Sequence, residues 1–203
     1  MTIAVAPKRF SWDPVVKITH WSIALAVLAN TVFTEEGSSL HIWVGYGLAA
    51  ILALRLLWGL IGPPEARFRA FWPSPRKALG HIGDIRNGTL TRHSSHNPLG
   101  AMMVYAIWAC LLTIIGTGVA MAGVPRWNDA ASEDGRRAAY ESRQFEEHGE
   151  DESEGENDDL LEEVHEVGAN LLYVLILLHL AGVLFETRRS GRKVLVAMSP
   201  LHR

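Results

Sequence analysis

Cysteine is nearly absent from this chain of 203 residues, which contains only Cys110. A single cysteine excludes an internal disulfide, a Cys-x-x-Cys-His site for covalent haem and a cysteine-ligated iron–sulfur cluster. Because Cys110 lies in an apolar stretch, we interpret it as a small packing residue. The N-terminus also lacks the charged start, apolar run and cleavage site of a signal peptide, so we expect the first apolar segment to be retained.

Charged residues are scarce in four long apolar segments, which are residues 15–34, 41–62, 99–123 and 164–186. Each has about the 20 residues that a helix needs to cross a hydrocarbon core of about 30 Å. The sequence therefore predicts an all-α fold, a four-transmembrane-helix bundle. We expect residues 1–203 to form a single membrane domain.

The segments between the spans differ in charge. Lysine and arginine are concentrated in the N-terminus, in residues 63–98 and in the C-terminus, which predicts an N-in, C-in orientation by the positive-inside rule. The external segment at residues 127–163 contains fifteen Asp and Glu against three Arg. Such a composition cannot bury a core, so we expect a long, disordered acidic loop between the third and fourth spanning helices.

Histidine points most directly to function, because imidazole is uncommon inside a bilayer and usually has a role there. His165 and His179 stand fourteen residues apart, so in one helix they face roughly the same way, about 21 Å apart. In the predicted orientation His20 and His179 lie toward the cytoplasm, and His41 and His165 toward the outside. The chain thus offers two pairs of histidines at two depths, each pair from two different helices.

These pairs predict two non-covalently bound b haems, each clamped between two neutral imidazoles. A zinc ion would gather three or four ligands at about 2.0–2.1 Å, which two layers about 20 Å apart cannot provide. A histidine taken singly near a helix end is often only an interfacial side chain, and it is the matching depths that favour the haem interpretation. The histidines in polar segments are expected to be solvated, namely His81, His93, His148 and His202.

Three further residues are candidates for cofactor contacts. Arg55 lies between leucines where no helix supplies an acidic residue, so a haem propionate would be its anion, with snorkelling to the headgroups as the alternative. Lys17, one turn before His20, is a second candidate for a propionate or for lipid contact. His96 precedes Asn97-Pro98 and either caps the third helix, which we favour, or contacts a quinone head group.

Short motifs follow one another along the chain: Lys17-Ile18-Thr19-His20-Trp21, His41 followed by Gly45, Arg55-Leu56-Leu57-Trp58-Gly59, His96-Asn97-Pro98-Leu99-Gly100, and His179. Their order and spacing resemble the bacterial cytochrome b561 family, including the b-type cytochrome subunits of nickel–iron hydrogenases. The resemblance covers roughly residues 12–126 and 164–198. The long acidic segment departs from it.

The resemblance implies a di-haem cytochrome of the bacterial inner membrane that exchanges electrons between the quinone pool and a redox partner. The axial ligands carried over are His20, His41, His165 and His179. The acidic segment favours a basic periplasmic partner such as a c-type cytochrome, although a solvated loop without a partner has the same composition.

Several alternatives stay open. The chain is either an electron conduit or a stand-alone quinol-oxidising enzyme that passes electrons to a small acceptor such as superoxide. From another class, a haem-free membrane scaffold or transporter would share the apolar helices. We expect no nucleic acid partner, and both a homodimer and membership of a larger complex are compatible with the sequence.

Overall fold

The computed structural model describes residues 13–87, 98–123 and 152–191, and within these ranges the chain is helical, without strands. Its α-helices there are α1 (Pro14–Val32), α2 (Ser39–Ile61), α3 (Pro75–Arg86), α4 (Pro98–Ala122) and α5 (Glu152–Ser190), with a 3-10 turn at Phe68–Phe71. Four of them, α1, α2, α4 and the Asn157–Arg189 part of α5, are long and apolar enough to cross a membrane. The predicted all-α fold with four spanning helices is thus confirmed. The N-in, C-in orientation stays a prediction.

The first two spans begin at capping residues. Asp13 precedes α1, and its Oδ1 accepts hydrogen bonds from two backbone N–H groups of the first turn, at 2.9 and 3.2 Å. Ser38 precedes α2, and its hydroxyl accepts one from the N–H of His41 at 3.3 Å. Gly37 in the connecting turn has φ of 71°, a conformation that favours glycine. Because such signals are local, the first three spans end within two residues of their predicted boundaries.

The predicted acidic loop is partly wrong, because α5 begins at Glu152 and residues 152–163 are therefore helical. Glutamate is a good helix former, and acidic side chains in the first turns interact favourably with the positive end of the helix dipole. A composition that cannot form a core alone can thus extend a helix that the membrane span already nucleates. The rest of the predicted loop, 127–151, lies outside the described residues.

The basic segment after α2 contains α3, a helix that the sequence analysis does not predict. Ala78 and His81, one turn apart, are 7% and 5% exposed, whereas Leu79 is 69% exposed. The expectation that His81 is solvated is therefore wrong, because a basic helix can still bury one face against the protein. The other three polar-segment histidines lie outside the described residues.

The described residues fall within two compact units, Met1–Ala109 with Tyr173–Arg203, and Cys110–Leu172. The expectation of a single domain stays a prediction.

In the larger unit α1 packs against α2. Leu52 of α2 is 1% exposed and marks the core of this contact. Hydrogen bonds connect the two helices at both ends: Trp58 Nε1 donates to Asp13 Oδ1 at 2.9 Å, and Asn30 Nδ2 donates to the carbonyl of His41 at 3.3 Å. These two bonds hold α1 and α2 in one antiparallel register.

The smaller unit consists of the C-terminal part of α4 and the N-terminal part of α5. Leu111 is 1% exposed, and the buried Cys110 donates from Sγ to the carbonyl of Gly168 at 3.1 Å. A Cβ atom at Gly168 would lie 3.0 Å from Cγ1 of Ile114, so the glycine lets the helices approach closely. This confirms Cys110 as a packing residue.

The spanning helices carry large apolar side chains on their outer surfaces. Leu25, Leu60 and Leu177 are 63%, 65% and 67% exposed. Contact of such surface with water costs about 25 cal/mol for each Å², whereas lipid tails cover it without that cost. The exposed surface therefore suits a bilayer.

Candidate functional site

His20 on α1 and His179 on α5 lie next to each other within the larger unit. Their ring centroids are 6.3 Å apart, and the ring planes are inclined by 50°. Two imidazoles that bind one metal ion from opposite sides, with metal–nitrogen bonds of about 2 Å, have ring centroids about 6 Å apart. The two side chains thus have the separation that shared axial ligation requires.

The ring of His20 contacts two other rings, those of Trp21 and His179. Trp21 contacts its ring edge to face, with centroids 5.6 Å apart and an interplanar angle of 87°. The Nδ1 atom of His20 is buried and has no hydrogen-bond partner among the described residues. A buried polar atom without a partner is costly, so packing rather than a hydrogen bond at Nδ1 orients this ring.

His41 stands in the first turn of α2 and contacts a threonine. Its Nδ1 lies 3.3 Å from Oγ1 of Thr34. The same hydroxyl donates to the carbonyl of Asn30 at 2.9 Å. The same hydroxyl also lies 3.5 Å from Oδ1 of Asn30, so Thr34 has two oxygen acceptors within reach besides the imidazole.

His165 on α5 has a similar neighbour in the smaller unit. Its Nδ1 lies 2.9 Å from Oγ1 of Thr117, a hydroxyl that also contacts the carbonyls of Thr113 at 3.0 Å and Ile114 at 3.1 Å. A Cβ atom at Gly118 would lie 3.1 Å from Cε1 of His165. Glycine at 118 therefore leaves room for the imidazole against α4.

The structure brings together one of the two predicted histidine pairs. His20 and His179 are in contact, whereas His41 and His165 belong to different compact units and their pairing stays a prediction. Within the described ranges no three His, Cys, Asp or Glu side chains form a group that could hold a metal ion. His96 lies outside the described residues, so both of its proposed roles stay predictions.

Arg55 is buried in α2 against an aromatic cluster. It is 5% exposed, and its guanidinium carbon lies 5.2 Å from the centre of the Trp108 ring, within the range of a cation–π interaction. Tyr105 contacts the same indole, with ring centroids 5.5 Å apart. Arg55 Nη1 and the Tyr105 hydroxyl are both buried without a hydrogen-bond partner among the described residues. Two polar groups that lack a hydrogen-bond partner within the described ranges thus lie against one tryptophan.

The low exposure of Arg55 and Lys17 helps to decide between a bound anion and contact with lipid as the partner of each side chain. Arg55 at 5% argues against snorkelling to lipid headgroups, and Lys17 at 9% leaves little surface for lipid contact. For both residues a partner within the protein or in a bound group is therefore favoured over lipid.

Asp13 is a residue that the sequence reasoning missed. It caps α1, outside any helix, yet its carboxylate reaches Trp58 and attracts the guanidinium of Arg55. The expectation that no helix supplies an acidic residue at the depth of Arg55 does not conflict with this, because Asp13 is a cap outside the helices, but a search of the helices alone overlooks it. Thr34 and Thr117 were also missed, since single threonines are too common in helices to stand out.

Residues 11–200 of the chain match the family described as prokaryotic cytochrome b561. Comparisons with curated proteins and with solved structures gave no match. The four apolar helices fit the membrane location of such a cytochrome, and the family implies a b-type haem as the electron-carrying group. The chain therefore belongs to the prokaryotic cytochrome b561 family, and it is a multi-pass bacterial membrane protein that takes part in electron transfer.

Proposed function

We propose that this protein is a di-haem electron carrier of the bacterial inner membrane that connects the quinone pool with a periplasmic redox partner. The observation that carries the proposal is the pair of His20 and His179. Their rings come from two different spanning helices and stand 6.3 Å apart, as ligands of a shared metal ion would.

In this proposal His20 and His179 hold one haem toward the cytoplasm, and His41 and His165 hold a second toward the periplasm. When bound, haem with two histidine ligands supplies reversible one-electron transfer and leaves no open iron position. The fourteen-residue spacing of His165 and His179 corresponds to about 21 Å along a helix, which separates the two centres across the membrane. The protein's own contribution is to set the depth and orientation of the ligands.

Arg55 and Tyr105 are suited to bind a haem propionate. Both present a buried donor without an acceptor among the described residues, and both contact Trp108. A carboxylate would accept from the two donors, and charge-assisted bonds of this kind are roughly twice as strong as neutral ones. Lys17 is a second candidate, because it lies one turn before His20 and is only 9% exposed.

The partner is proposed from charge. The start of α5 carries exposed acidic side chains, which include Asp158, Asp159, Glu162 and Glu163. They continue the acidic segment that precedes α5 in the sequence. Such a concentration of negative charge raises the encounter rate with a basic partner by about 10- to 1000-fold at low ionic strength. A basic c-type cytochrome is therefore the partner class that we propose.

The first test is the visible spectrum of the purified protein. We expect the sharp reduced α-band of b-type haem, two haems per chain, and reduction by a quinol. A folded protein without haem would contradict the proposal and favour the haem-free scaffold or transporter. One haem per chain would contradict the di-haem arrangement alone.

The second test addresses the partner. The reduced protein is mixed with a basic cytochrome c in a stopped-flow instrument at low and high salt. A variant with the acidic residues of 128–151 replaced by Asn and Gln should react more slowly and with less salt dependence, whereas a variant with the same residues in scrambled order should behave like wild type. If all three proteins react at one rate at every salt concentration, the docking proposal is wrong. Fast, salt-independent reaction with superoxide would then favour the stand-alone enzyme.

A further inference from the structure

We propose that Thr34 and Thr117 are positioning residues that hold His41 and His165 in the tautomer with the lone pair on Nε2. The inference rests on the proposed function, because it concerns two of the proposed haem ligands. It goes further by assigning the groups that prepare those ligands to bind a metal.

The Thr117 hydroxyl beside His165 has one proton and three possible acceptors. Thr117 Oγ1 lies 3.0 Å from the carbonyl of Thr113 and 3.1 Å from that of Ile114, and carbonyl oxygens can only accept. The single hydroxyl proton therefore points to these carbonyls. The 2.9 Å contact with His165 Nδ1 then requires the ring nitrogen to donate. With its proton on Nδ1, a neutral imidazole has its lone pair on Nε2.

The same count of hydroxyl protons applies to Thr34, which contacts His41 in another part of the chain. Thr34 Oγ1 donates to the carbonyl of Asn30 at 2.9 Å, so the oxygen is an acceptor toward His41 Nδ1 at 3.3 Å. Thr34 follows the end of α1, whereas Thr117 lies within α4. Two threonines in unrelated local settings thus impose the same tautomer on two candidate ligands.

This tautomer matters because a neutral imidazole binds a metal through the nitrogen that carries the lone pair. A hydrogen bond at the other nitrogen both selects the tautomer and limits rotation of the ring, which lowers the cost of binding. Gly118 adds a steric element for His165, since a Cβ there would lie 3.1 Å from the ring. Gly118 therefore lets the His165 ring lie close to α4, where Thr117 contacts its Nδ1.

Threonine hydroxyls often bond to a carbonyl of the preceding turn without any further role. Thr31 makes the same kind of bond: its Oγ1 donates to the carbonyl of Val27 at 2.9 Å on an exposed part of α1, and its side-chain partner, at 3.4 Å, is the hydroxyl of Tyr173 rather than a histidine. The same substitution at position 31 removes a comparable back-bond away from the histidine rings. It is the matched control for Thr34 and Thr117.

The experiment compares Thr117→Val, Thr34→Val, Thr31→Val and the serine variants Thr117→Ser and Thr34→Ser in purified holoprotein. Valine keeps the shape and removes the hydroxyl, so we expect about a 10- to 100-fold loss of affinity for one haem, the typical cost of losing such a partner. The midpoint potential of that haem should rise, because an imidazole without its Nδ1 hydrogen bond donates less electron density. The largest g value of its ferric spectrum should also change as the ring turns. Serine should restore all three properties, and Thr31→Val should match wild type.

Several results would overturn the inference. Valine variants with wild-type affinity, potential and ferric spectrum would show that the hydroxyls have no positioning role. An equal change at both haems, or failure of serine to restore the site, would indicate a general effect on folding.

If the wild-type protein binds no haem, the proposed function fails, and the inference is tested separately on the haem-free protein. The ¹⁵N chemical shifts of the His165 ring should then show a protonated Nδ1 in wild type and a mixture of tautomers in Thr117→Val. A wild-type ring protonated on Nε2 would contradict the assignment.

Discussion

The histidine pair His20–His179 and the two histidines His41 and His165 have different surroundings. The first two rings lie next to each other, Trp21 contacts His20 edge to face, and His20 Nδ1 has no hydrogen-bond partner among the described residues. His41 and His165 each have a threonine hydroxyl at Nδ1. A polar orienting group is inexpensive near the end of an apolar stretch, where backbone carbonyls and water are close, and costly further inside. The deeper pair must therefore be oriented mainly by packing and by the group that it binds.

The largest effects should come from replacing a proposed axial ligand, because the iron then loses one of its two imidazoles, and the pair His20 and His179 is the first case. His20→Ala and His179→Ala should each lower the haem content from two per chain to one, and the double variant should keep that one. The measurement is the haem-to-protein ratio with redox titration of the remaining haem. His148→Ala, in the acidic segment, is the control. If the two single variants lost different haems, His20 and His179 would not share one haem, although the structure places their rings in contact.

An effect of equal size is expected at the other pair, whose partnership is so far only predicted. His41→Ala and His165→Ala should each remove the haem that survives in His20→Ala. The double variant of His20 and His41 should then bind none, as judged from the reduced spectrum. If His41→Ala and His20→Ala removed the same haem, the assignment of the four ligands to two sites would be wrong.

A smaller effect is expected from the buried cation. Arg55→Gln should lower the midpoint potential of one haem, because a positive charge nearby stabilises the reduced iron. A unit charge at about 10 Å in an effective dielectric of about 20 contributes about 1.7 kcal/mol, or about 70 mV, as an upper limit. Redox titration of each haem measures the shift, with the exposed Arg76→Gln as control. A shift of the same size in both variants would mean that Arg55 acts only through net charge.

Tyr105→Phe tests the effect of the Tyr105 hydroxyl separately from the effect of the positive charge on Arg55. The substitution removes the Tyr105 hydroxyl, which has no hydrogen-bond partner among the described residues, and it keeps the ring that contacts Trp108. We expect a shift smaller than that of Arg55→Gln, at the same haem. A shift at the other haem would contradict a shared propionate.

The smallest effect concerns stability rather than the cofactor. Asp13→Ala removes both the α1 cap and the acceptor of the Trp58 indole, whereas Ser38→Ala removes a cap alone. Loss of a cap costs about 1 kcal/mol, and loss of the second bond about another 1 kcal/mol. Denaturant unfolding in detergent should therefore rank Asp13→Ala below Ser38→Ala, with Trp58→Phe showing the second contribution alone. Equal stability of the two alanine variants would mean that the Asp13–Trp58 bond contributes nothing.

Much of the fold could be predicted because its signals are local. Apolar length defined the spans, and the capped starts of α1 and α2 fell within two residues of prediction. The errors arose where composition was used without context. The acidic residues 152–163 extend α5, and His81 is buried in a basic helix. In both cases a neighbouring element supplied what the segment alone lacks, a helix to continue or a surface to pack against.

The sequence by itself determined the number of spans, the position of each histidine along its apolar segment and the family, because hydropathy and spacing act along the chain. Only the tertiary structure decided which side chains meet. The contact of His20 with His179, the approach of Asp13 to Trp58 and the threonine beside His165 all join residues far apart in sequence. The position of a residue along a helix follows from counting residues. The rotation of that helix about its axis, and which helix it contacts, depend on packing between segments and cannot be read from one segment alone.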